Sequence, residues 1–380
     1  MSELKKEAPI KRRALKNGFR IAASALFFVF LEFVVLSPAA SAEEASRLIE
    51  ALMGPGKTEN INGRPWTADL GVMAYHSQKV YILAGDTIGL DIFSPNSIAT
   101  STDLQPQDGF SSRWNTYLNG NPVPFFPRID PDSTVPAGAL SLNGILYVFM
   151  MDVTHWGDLS DLETRARPAL IKSTDNGAHF SLIWLGLEES KFVNIAPVLG
   201  PHPADSSRQV VYFFGSGKYR ESPVYLAYAE IGDIEYPNRY FYYKGLQNNT
   251  PLWSPIQNEA VPIVSGVKVG ELSVAWNDYL QKYILAFFDF AGSPYGFYFR
   301  ISDKPWGKWS TRKLIFDGTQ KPDWYETGWR GPYGGYLLRE LSRESGRIIY
   351  FTLSLWIPYN IFLMELDLRE VFAKKGVVPR

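Results

Sequence analysis

Two aspartates in the stretch from Thr67 to Gly89 have the residue type and spacing that acid–base chemistry requires. The stretch is predicted to form two strands joined by a tight turn at Ser77–Gln78. Asp69 and Asp86 are equidistant from that turn, so we expect them to face each other with Cβ atoms ~5 Å apart. Opposed like charges destabilise a hairpin and raise one pKa, which suits a catalytic acid and its partner carboxylate. The alternative for Asp86 is that it caps the glycine-flanked turn that follows it.

Three further acids extend this hypothesis. Glu271 lies at the predicted start of a strand and is interpreted as a third catalytic carboxyl. It could donate a proton, bind a sugar hydroxyl or hold a basic side chain. The alternative is that Glu271 forms an ion pair with a purely structural role. Asp152 and Asp289 end apolar strands as Asp86 does, and they are predicted to contact substrate. If these acids converge, they would offer oxygen ligands to an axial Ca²⁺, although no cofactor is expected.

Aromatic and basic side chains near predicted strand ends complete the candidate site. Aromatic rings at a rim can stack on the CH face of a sugar, and arginines can bind hydroxyls. Core packing and salt bridging are the alternatives for each of these side chains. The predicted substrate-binding set, besides Asp152 and Asp289, is Trp66, Thr87, Trp114, His155, Trp156, Arg220, Arg330, Tyr333 and Trp356.

Composition narrows the class of protein. The chain has 380 residues, 46% hydrophobic and 15% aromatic, which is enough for a large core rich in strands. With no cysteine there is neither a disulfide nor a thiolate site, and the four histidines have no metal-ligand spacing. The net charge of -1 gives no electrostatic reason to expect nucleic acid as a partner.

The N-terminal segment has the pattern of a secretory signal. A basic region is followed by the apolar run Ile21–Leu36 and by the small-residue motif Ala40–Ala42. We therefore predict a signal peptide over residues 1–42 and a secreted or periplasmic protein, with an uncleaved membrane anchor as the alternative. Residues 43–60 are predicted to form a short helix, Glu43–Met53, and a linker.

One unit of three or four strands recurs about five times in the rest of the chain. Each unit begins with a strand of small and apolar residues and continues through a polar turn into a strongly apolar strand. This pattern predicts an all-β fold, a five-bladed β-propeller over residues 61–380, with a pair of β-sandwiches as the alternative. The segment Ser173–Phe180 has the pattern S-x-D-x-G-x-x-aromatic, which is typical of a turn between outer propeller strands.

A set of short motifs in a fixed order makes the chain similar to a known family. The motifs are Thr67–Gly71, Gly85–Thr87, Ser101–Asp103, Pro136–Gly138, Gly270–Ser273, Tyr333–Tyr336 and Ser354–Asn360. Together they resemble the secreted propeller family called domain of unknown function 4185, which includes bacterial endo-D-arabinanases. The resemblance spans roughly residues 66–368.

The resemblance implies a function for the paired aspartates. In that family an aspartate pair near the start of the propeller is implicated in glycosidic cleavage, and by motif it corresponds to Asp69 and Asp86. The expected activity is hydrolysis of a furanose-containing polysaccharide, D-arabinan of arabinogalactan and lipoarabinomannan. Apart from the resemblance, we expect a monomer that does not bind a membrane after signal cleavage. A non-catalytic carbohydrate-binding propeller is the alternative. A sialidase-like site is disfavoured because the arginines are scattered singly along the chain.

Overall fold

Antiparallel strands make up most of the chain in this computed structural model, which describes residues 46–130, 132–157, 160–320 and 330–372. The strands are β1 (Ser46–Ala51), β2 (Trp66–His76), β3 (Lys79–Gly89), β4 (Ile92–Ser94), β5 (Ser97–Ser101), β6 (Arg113–Trp114), β7 (Ser133–Leu142), β8 (Ile145–His155), β9 (Arg165–Ser173), β10 (Ser181–Leu185), β11 (Asn194–His202), β12 (Asp205–Ser216), β13 (Ser222–Glu230), β14 (Phe241–Gln247), β15 (Thr250–Ser254), β16 (Val264–Val269), β17 (Leu272–Asn277), β18 (Lys282–Asp289), β19 (Gly296–Ser302), β20 (Lys313–Asp317), β21 (Arg330–Leu337), β22 (Ile348–Ile357) and β23 (Asn360–Asp367). The helical elements are the 3-10 turns Ile231–Asp233, Pro237–Arg239, Gln257–Glu259, Arg339–Leu341 and Glu344–Gly346, and the helix α1 (Leu368–Phe372).

The strands form five sheets that correspond to the five predicted repeat units. Their orders, from the inner strand outward, are β2-β3-β5-β6, β7-β8-β9-β10, β11-β12-β13-β14-β15, β17-β18-β19-β20 and β21-β22-β23-β1. The inner strands contact one another in the cyclic order β2, β7, β11, β17, β21 and back to β2. The predicted five-bladed propeller is therefore confirmed.

The N-terminal strand corrects one prediction. Residues 46–51 form β1, a strand rather than the predicted helix, and pair antiparallel with β23 as the outer strand of the fifth blade. Leu48 packs against the core between the fourth and fifth blades, whereas Ile49 packs against the core between the fifth and first. This alternation suits a strand, and the open edge of β23 supplies hydrogen bonds that outweigh the helical preference of the sequence.

The core is divided among the spaces between blades. Five apolar clusters fill the first–second, second–third, third–fourth, fourth–fifth and fifth–first interfaces of the described chain. Each sheet thus buries both faces against its neighbours, which explains the near-continuous apolar runs in the second strands. The rigid ring that results holds the ends of the inner strands at fixed positions around the axis.

The predicted turns are present. Ser77 and Gln78 join β2 to β3, and Asn143 and Gly144 join β7 to β8, all four with positive φ. The turn Ser173–Phe180 lies between β9 and β10. In it, Asp175 accepts hydrogen bonds from Ser173 Oγ at 2.8 Å and from the backbone amide of His179 at 2.9 Å. This segment is structural, as predicted.

The predicted signal peptide lies outside the described residues. Among the residues that are described, no helix is long and apolar enough to cross a membrane.

Candidate active site

Asp69 occupies a bulged position at the start of the inner strand of the first blade. The register of β2 against β3 shifts at Asp69, because Ala68 pairs with Thr87 whereas Leu70 pairs with Ala84, and it shifts again between Leu70 and Val72. Asp69 therefore lies opposite two residues, and the direct opposition of Asp69 and Asp86 expected from the turn is corrected to a bulge. A side chain at residue 85, which is glycine, would collide with Asp69 Oδ1.

The carboxyl of Asp69 has an environment that favours its protonated form. Its Oδ2 accepts a hydrogen bond from Tyr333 Oη at 2.9 Å, and its buried Oδ1 has no partner among the described residues. Burial, followed by the negative charges of Asp86 and Glu271, raises the pKa of Asp69 from 3.8 to about 7 against the opposing effect of hydrogen bonds from Tyr333 and Tyr359. Near neutral pH, Asp69 can therefore hold a proton and give it up.

Asp86 differs from Asp69 in having a basic partner, Arg128. Its Oδ1 accepts a hydrogen bond from Arg128 Nη2 at 3.2 Å, and its Oδ2 accepts one from Ser133 Oγ at 2.9 Å. Burial raises the pKa of Asp86, but the charge of Arg128 and both hydrogen bonds oppose that rise. The Arg128 guanidinium also lies 4.4 Å from the ring centroid of Phe93. About one fifth of the Asp86 side chain is exposed, so its carboxylate remains accessible to a ligand.

Glu271 lies just before β17 and faces the same axis from the fourth blade. It is 3% exposed, and its Oε1 accepts a hydrogen bond from Arg220 Nη2 at 2.9 Å. The guanidinium of Arg220 lies 4.7, 4.7 and 5.0 Å from the ring centroids of Tyr219, Phe290 and Tyr333. Of the roles predicted for Glu271, binding a basic side chain is the one that the contacts favour, because a buried and paired carboxylate is poorly placed to give a proton to substrate.

Asp152 and Asp289 occupy the positions equivalent to Asp86 but are fully buried. Asp152 accepts hydrogen bonds from Arg167 Nε at 2.9 Å and from Thr134 Oγ1 at 2.7 Å. Asp289 forms an ion pair with Arg312 and accepts hydrogen bonds from two backbone amides. Their predicted contact with substrate is corrected: each holds the end of its blade through a buried ion pair.

Three predicted substrate-binding residues lie in the core instead. Trp66 is 1% exposed, donates from Nε1 to the carbonyl of Gly120 at 3.1 Å, and packs edge-to-face on Trp114 with ring centroids 5.9 Å apart. Thr87 is fully buried and donates a hydrogen bond to the carbonyl of Gly85 at 3.0 Å. These side chains have no surface to offer a sugar, so that prediction is corrected for Trp66, Thr87 and Trp114.

His155 and Trp156, at the end of the second strand of the second blade, are partly exposed. Trp156 packs edge-to-face on Tyr219, with ring centroids 5.6 Å apart, and so borders the Arg220 cluster. His155 Nε2 lies 3.6 Å from a carboxylate oxygen of Asp161, and within the described residues none of its contacts is with Arg220 or the rings around it. The structure thus joins Trp156, but not His155, to the other candidate residues.

Aromatic side chains of the fifth blade border Asp69. Trp356 is 41% exposed and lies edge-to-face on Tyr359, with ring centroids 5.6 Å apart. Its ring centroid is 6.5 Å from that of Tyr333, the donor to Asp69. Trp356 therefore offers an exposed ring beside the acid. The side chain of Arg330 lies outside the described residues.

Sequence reasoning missed several residues of this site. Arg128 and Ser133 contact Asp86, Phe93 lies against Arg128, and Tyr359 borders Asp69. A partial signal existed, because Arg128 lies in the proline- and glycine-rich loop after β6, and Tyr359 follows Trp356 within a family-like motif. Neither signal identified the contact itself, which depends on chain segments that are distant in sequence.

The axis below the site is narrow. A cavity of about 40 Å³ lies there, lined by residues of all five inner strands, among them Val72, Ala139, Ala196, Ser273 and Tyr336. That volume holds only a few water molecules. Within the described ranges, no three His, Asp or Glu side chains are grouped as a metal site. The expectation that no cofactor is needed remains a prediction.

Comparison with known proteins gives a family and a fold. The sequence model of the family described as "Domain of unknown function (DUF4185)" matches residues 57–365. No curated protein matches the chain.

Solved structures resemble the propeller at low identity. A provisionally assigned hydrolase from Bacteroides ovatus ATCC 8483 is 11% identical, with 91% of this chain and 100% of that chain covered and a TM-score of 0.56. The β-1,2-mannobiose phosphorylase of Listeria innocua, solved with β-1,2-mannobiose, is 11% identical, with 85% and 96% covered and a TM-score of 0.50. At such identities the likeness establishes the fold only.

Proposed function

The chain belongs to the DUF4185 family, and from that premise and the geometry of the site we propose that it is a glycoside hydrolase that cleaves D-arabinan. The observation that carries this proposal is the inequality of two neighbouring carboxyls. Asp69 has a pKa of about 7, whereas the carboxylate of Asp86 accepts hydrogen bonds from Arg128 and Ser133. Glycosidases need one carboxyl that holds a proton and another that is ionised.

The two aspartates take different roles in this reaction. Asp69 gives its proton to the glycosidic oxygen as the bond to the anomeric carbon breaks. Asp86 either accepts a proton from the attacking water or attacks the anomeric carbon itself, which are the inverting and retaining courses. In both courses the charge of Arg128 favours the ionised form of Asp86 and opposes the rise in pKa that burial causes.

The character of the surroundings supports an uncharged sugar as substrate. Asp86 is paired with Arg128, and Glu271 with Arg220, so each full negative charge is balanced. Trp356 offers an exposed ring on which the CH face of a sugar can stack. D-arabinan is the neutral, furanose-containing polysaccharide to which the family resemblance points, and the proposed action is of the endo type. The predicted signal peptide is consistent with a substrate outside the cytoplasm.

Incubation with purified D-arabinan and chromatography of the released oligosaccharides test this function. The wild-type protein should release a series of oligosaccharides, as an endo-acting enzyme does. Asp69→Asn and Asp86→Asn should each lower kcat by ~10²–10⁴-fold, the usual contribution of an acid or base. The matched control is Asp205→Asn, which changes an exposed aspartate at the start of β12, outside the candidate site.

Two results would overturn the proposal. One is the absence of products from D-arabinan and from other arabinans. The other is activity of Asp69→Asn and Asp86→Asn equal to that of Asp205→Asn. Glycan binding that persists in both variants without turnover would instead identify a carbohydrate-binding propeller.

A further inference from the structure

Four side chains from four different blades form a continuous series of contacts that ends at Asp69. Glu271 accepts from Arg220 at 2.9 Å, the Arg220 guanidinium lies 5.0 Å from the ring centroid of Tyr333, and Tyr333 Oη donates to Asp69 Oδ2 at 2.9 Å. We propose that Arg220 is a positioning residue for Asp69, that it acts through the ring of Tyr333, and that Glu271 fixes it in place. The inference rests on the proposed function only where it calls Asp69 the catalytic acid.

The backbone around Arg220 is specialised for this placement. Arg220 has φ +54, in the left-handed region that non-glycine residues rarely adopt. A Cβ at residue 270, which is glycine, would lie 2.7 Å from Arg220 Cγ, so only glycine leaves room for the side chain. The carbonyl of Gly270 accepts a hydrogen bond from Ser216 Oγ, which holds the segment that leads into Glu271. Backbone strain at Arg220, together with the space that Gly270 leaves for its side chain, indicates that the position of Arg220 has a functional role.

The position of the cation determines its effect on Tyr333. A guanidinium over a phenol ring stabilises negative charge on that ring, so the hydroxyl becomes a stronger hydrogen-bond donor. Burial and the neighbouring Asp69 raise the pKa of Tyr333, and Arg220 opposes that rise. A stronger donor at 2.9 Å stabilises the ionised form of Asp69, because a hydrogen bond to a carboxylate favours the charged state. Arg220 thereby limits how far burial can raise the pKa of Asp69.

Glu271 has a direct effect of opposite sign. Its negative charge raises the pKa of Asp69, whereas its ion pair keeps Arg220 over the Tyr333 ring. The Glu271–Arg220 ion pair therefore affects the pKa of Asp69 in two opposed ways. The titratable groups that face Asp69 are Asp86, Glu271, Tyr219, Tyr333, Tyr336 and Tyr359.

The titration of Asp69 itself tests this inference without a substrate. Infrared titration of the full-length protein with isotope-labelled aspartate follows each carboxyl, and the band that disappears in Asp69→Asn identifies Asp69. Tyr333→Phe should raise the pKa of Asp69 by about one unit, the size expected for a lost hydrogen bond to a charged group. Arg220→Met should raise it by less, and Glu271→Gln should lower it.

A double substitution separates the route through Tyr333 from a direct effect. In the Tyr333→Phe background, Arg220→Met should shift the pKa of Asp69 by clearly less than it does alone. The matched control is Arg239→Met, because the Arg239 guanidinium also lies over a tyrosine ring, that of Tyr236 at 4.8 Å, but on an exposed turn of the third blade. Arg239→Met should leave the pKa of Asp69 unchanged. If Arg220→Met does not fold, Arg220→Lys, which keeps the charge but loses the planar stacking, should give a smaller shift of the same sign.

The outcomes distinguish this inference from the proposed function. An Asp69 titration that is unchanged in folded Arg220→Met, or shifted equally in both Tyr333 backgrounds, would overturn it. If the shifts occur but no glycan is cleaved, the inference stands and the proposed hydrolysis fails. If D-arabinan is cleaved, the alkaline limb of kcat/KM against pH should move in the same direction as the infrared pKa in each variant.

Discussion

Removal of the Asp69 carboxyl should change how the stability of the protein depends on pH. The pKa of Asp69 is about 7 in the folded protein and 3.8 ordinarily. Between these values the folded protein binds a proton on Asp69 that the unfolded chain has released. The contribution of Asp69 to the free energy of unfolding is therefore fully present below about pH 4 and is lost as pH rises through about 7. A shift of about three pKa units corresponds to about 4 kcal/mol, an upper bound because Asp69 remains partly exposed.

Urea unfolding of the wild type and Asp69→Asn at about pH 5 and about pH 8.5 measures this contribution. The wild type should lose up to about 2.7 kcal/mol relative to Asp69→Asn between the two conditions, because only the two pKa units between pH 5 and about 7 fall inside this comparison. Comparison within each pH cancels the other titrating groups. Asp205→Asn is the control, because hydrogen bonds from Ser207 lower the pKa of Asp205, so its contribution to stability changes only below about pH 4 and should be the same at both pH values. A difference between wild type and Asp69→Asn that is the same at both pH values would refute the reasoning that burial and Asp86 keep Asp69 protonated.

The remaining predictions concern residues whose roles the structure changes. Trp66→Ala should lower the free energy of unfolding by about 3–5 kcal/mol, because it opens a cavity between the first and fifth blades. Trp356→Ala should change the free energy of unfolding by less than about 0.5 kcal/mol but raise KM for the glycan. Denaturant unfolding and steady-state kinetics measure these effects. Equal losses of stability in Trp66→Ala and Trp356→Ala would contradict the buried and exposed positions of the two side chains. Deletion of residues 46–51 should lower Tm and promote aggregation through the exposed edge of β23, measured by thermal melting and sedimentation. Arg47→Gln, which loses only an exposed ion pair with Glu365, is its control, and an unchanged Tm after the deletion would show that β1 does not close the ring.

The hairpin of β2 and β3 shows how far local pattern predicts a site. The turn at Ser77–Gln78 and the proximity of Asp69 and Asp86 follow from the sequence, because alternation and turn position set which residues come near each other. The bulge around Asp69 does not follow, since it depends on the packing of Leu70 and its neighbours against adjacent blades. The bulge leaves the two carboxyls within electrostatic reach of each other but gives them different hydrogen-bond partners.

The aromatic residues show the limit of composition as a guide. Trp66 and Trp356 look alike as tryptophans near strand ends, yet one is buried between blades and the other is exposed beside Tyr359. Strand periodicity identifies which face a residue occupies but not whether a neighbouring blade covers that face. The fold was therefore more predictable than the roles of these side chains.

By itself, the sequence determined the repeat of five strand units, their turns and the pair Asp69 and Asp86, since these depend on periodicity and turn chemistry over short stretches. Only the tertiary structure decided that residues 46–51 form a strand, and which of the acids at strand ends are exposed. It also decided the contacts that set the chemistry, such as Tyr333 with Asp69 across 264 positions of the chain. Closure of the ring brings such residues together, and no local pattern records which blades will meet.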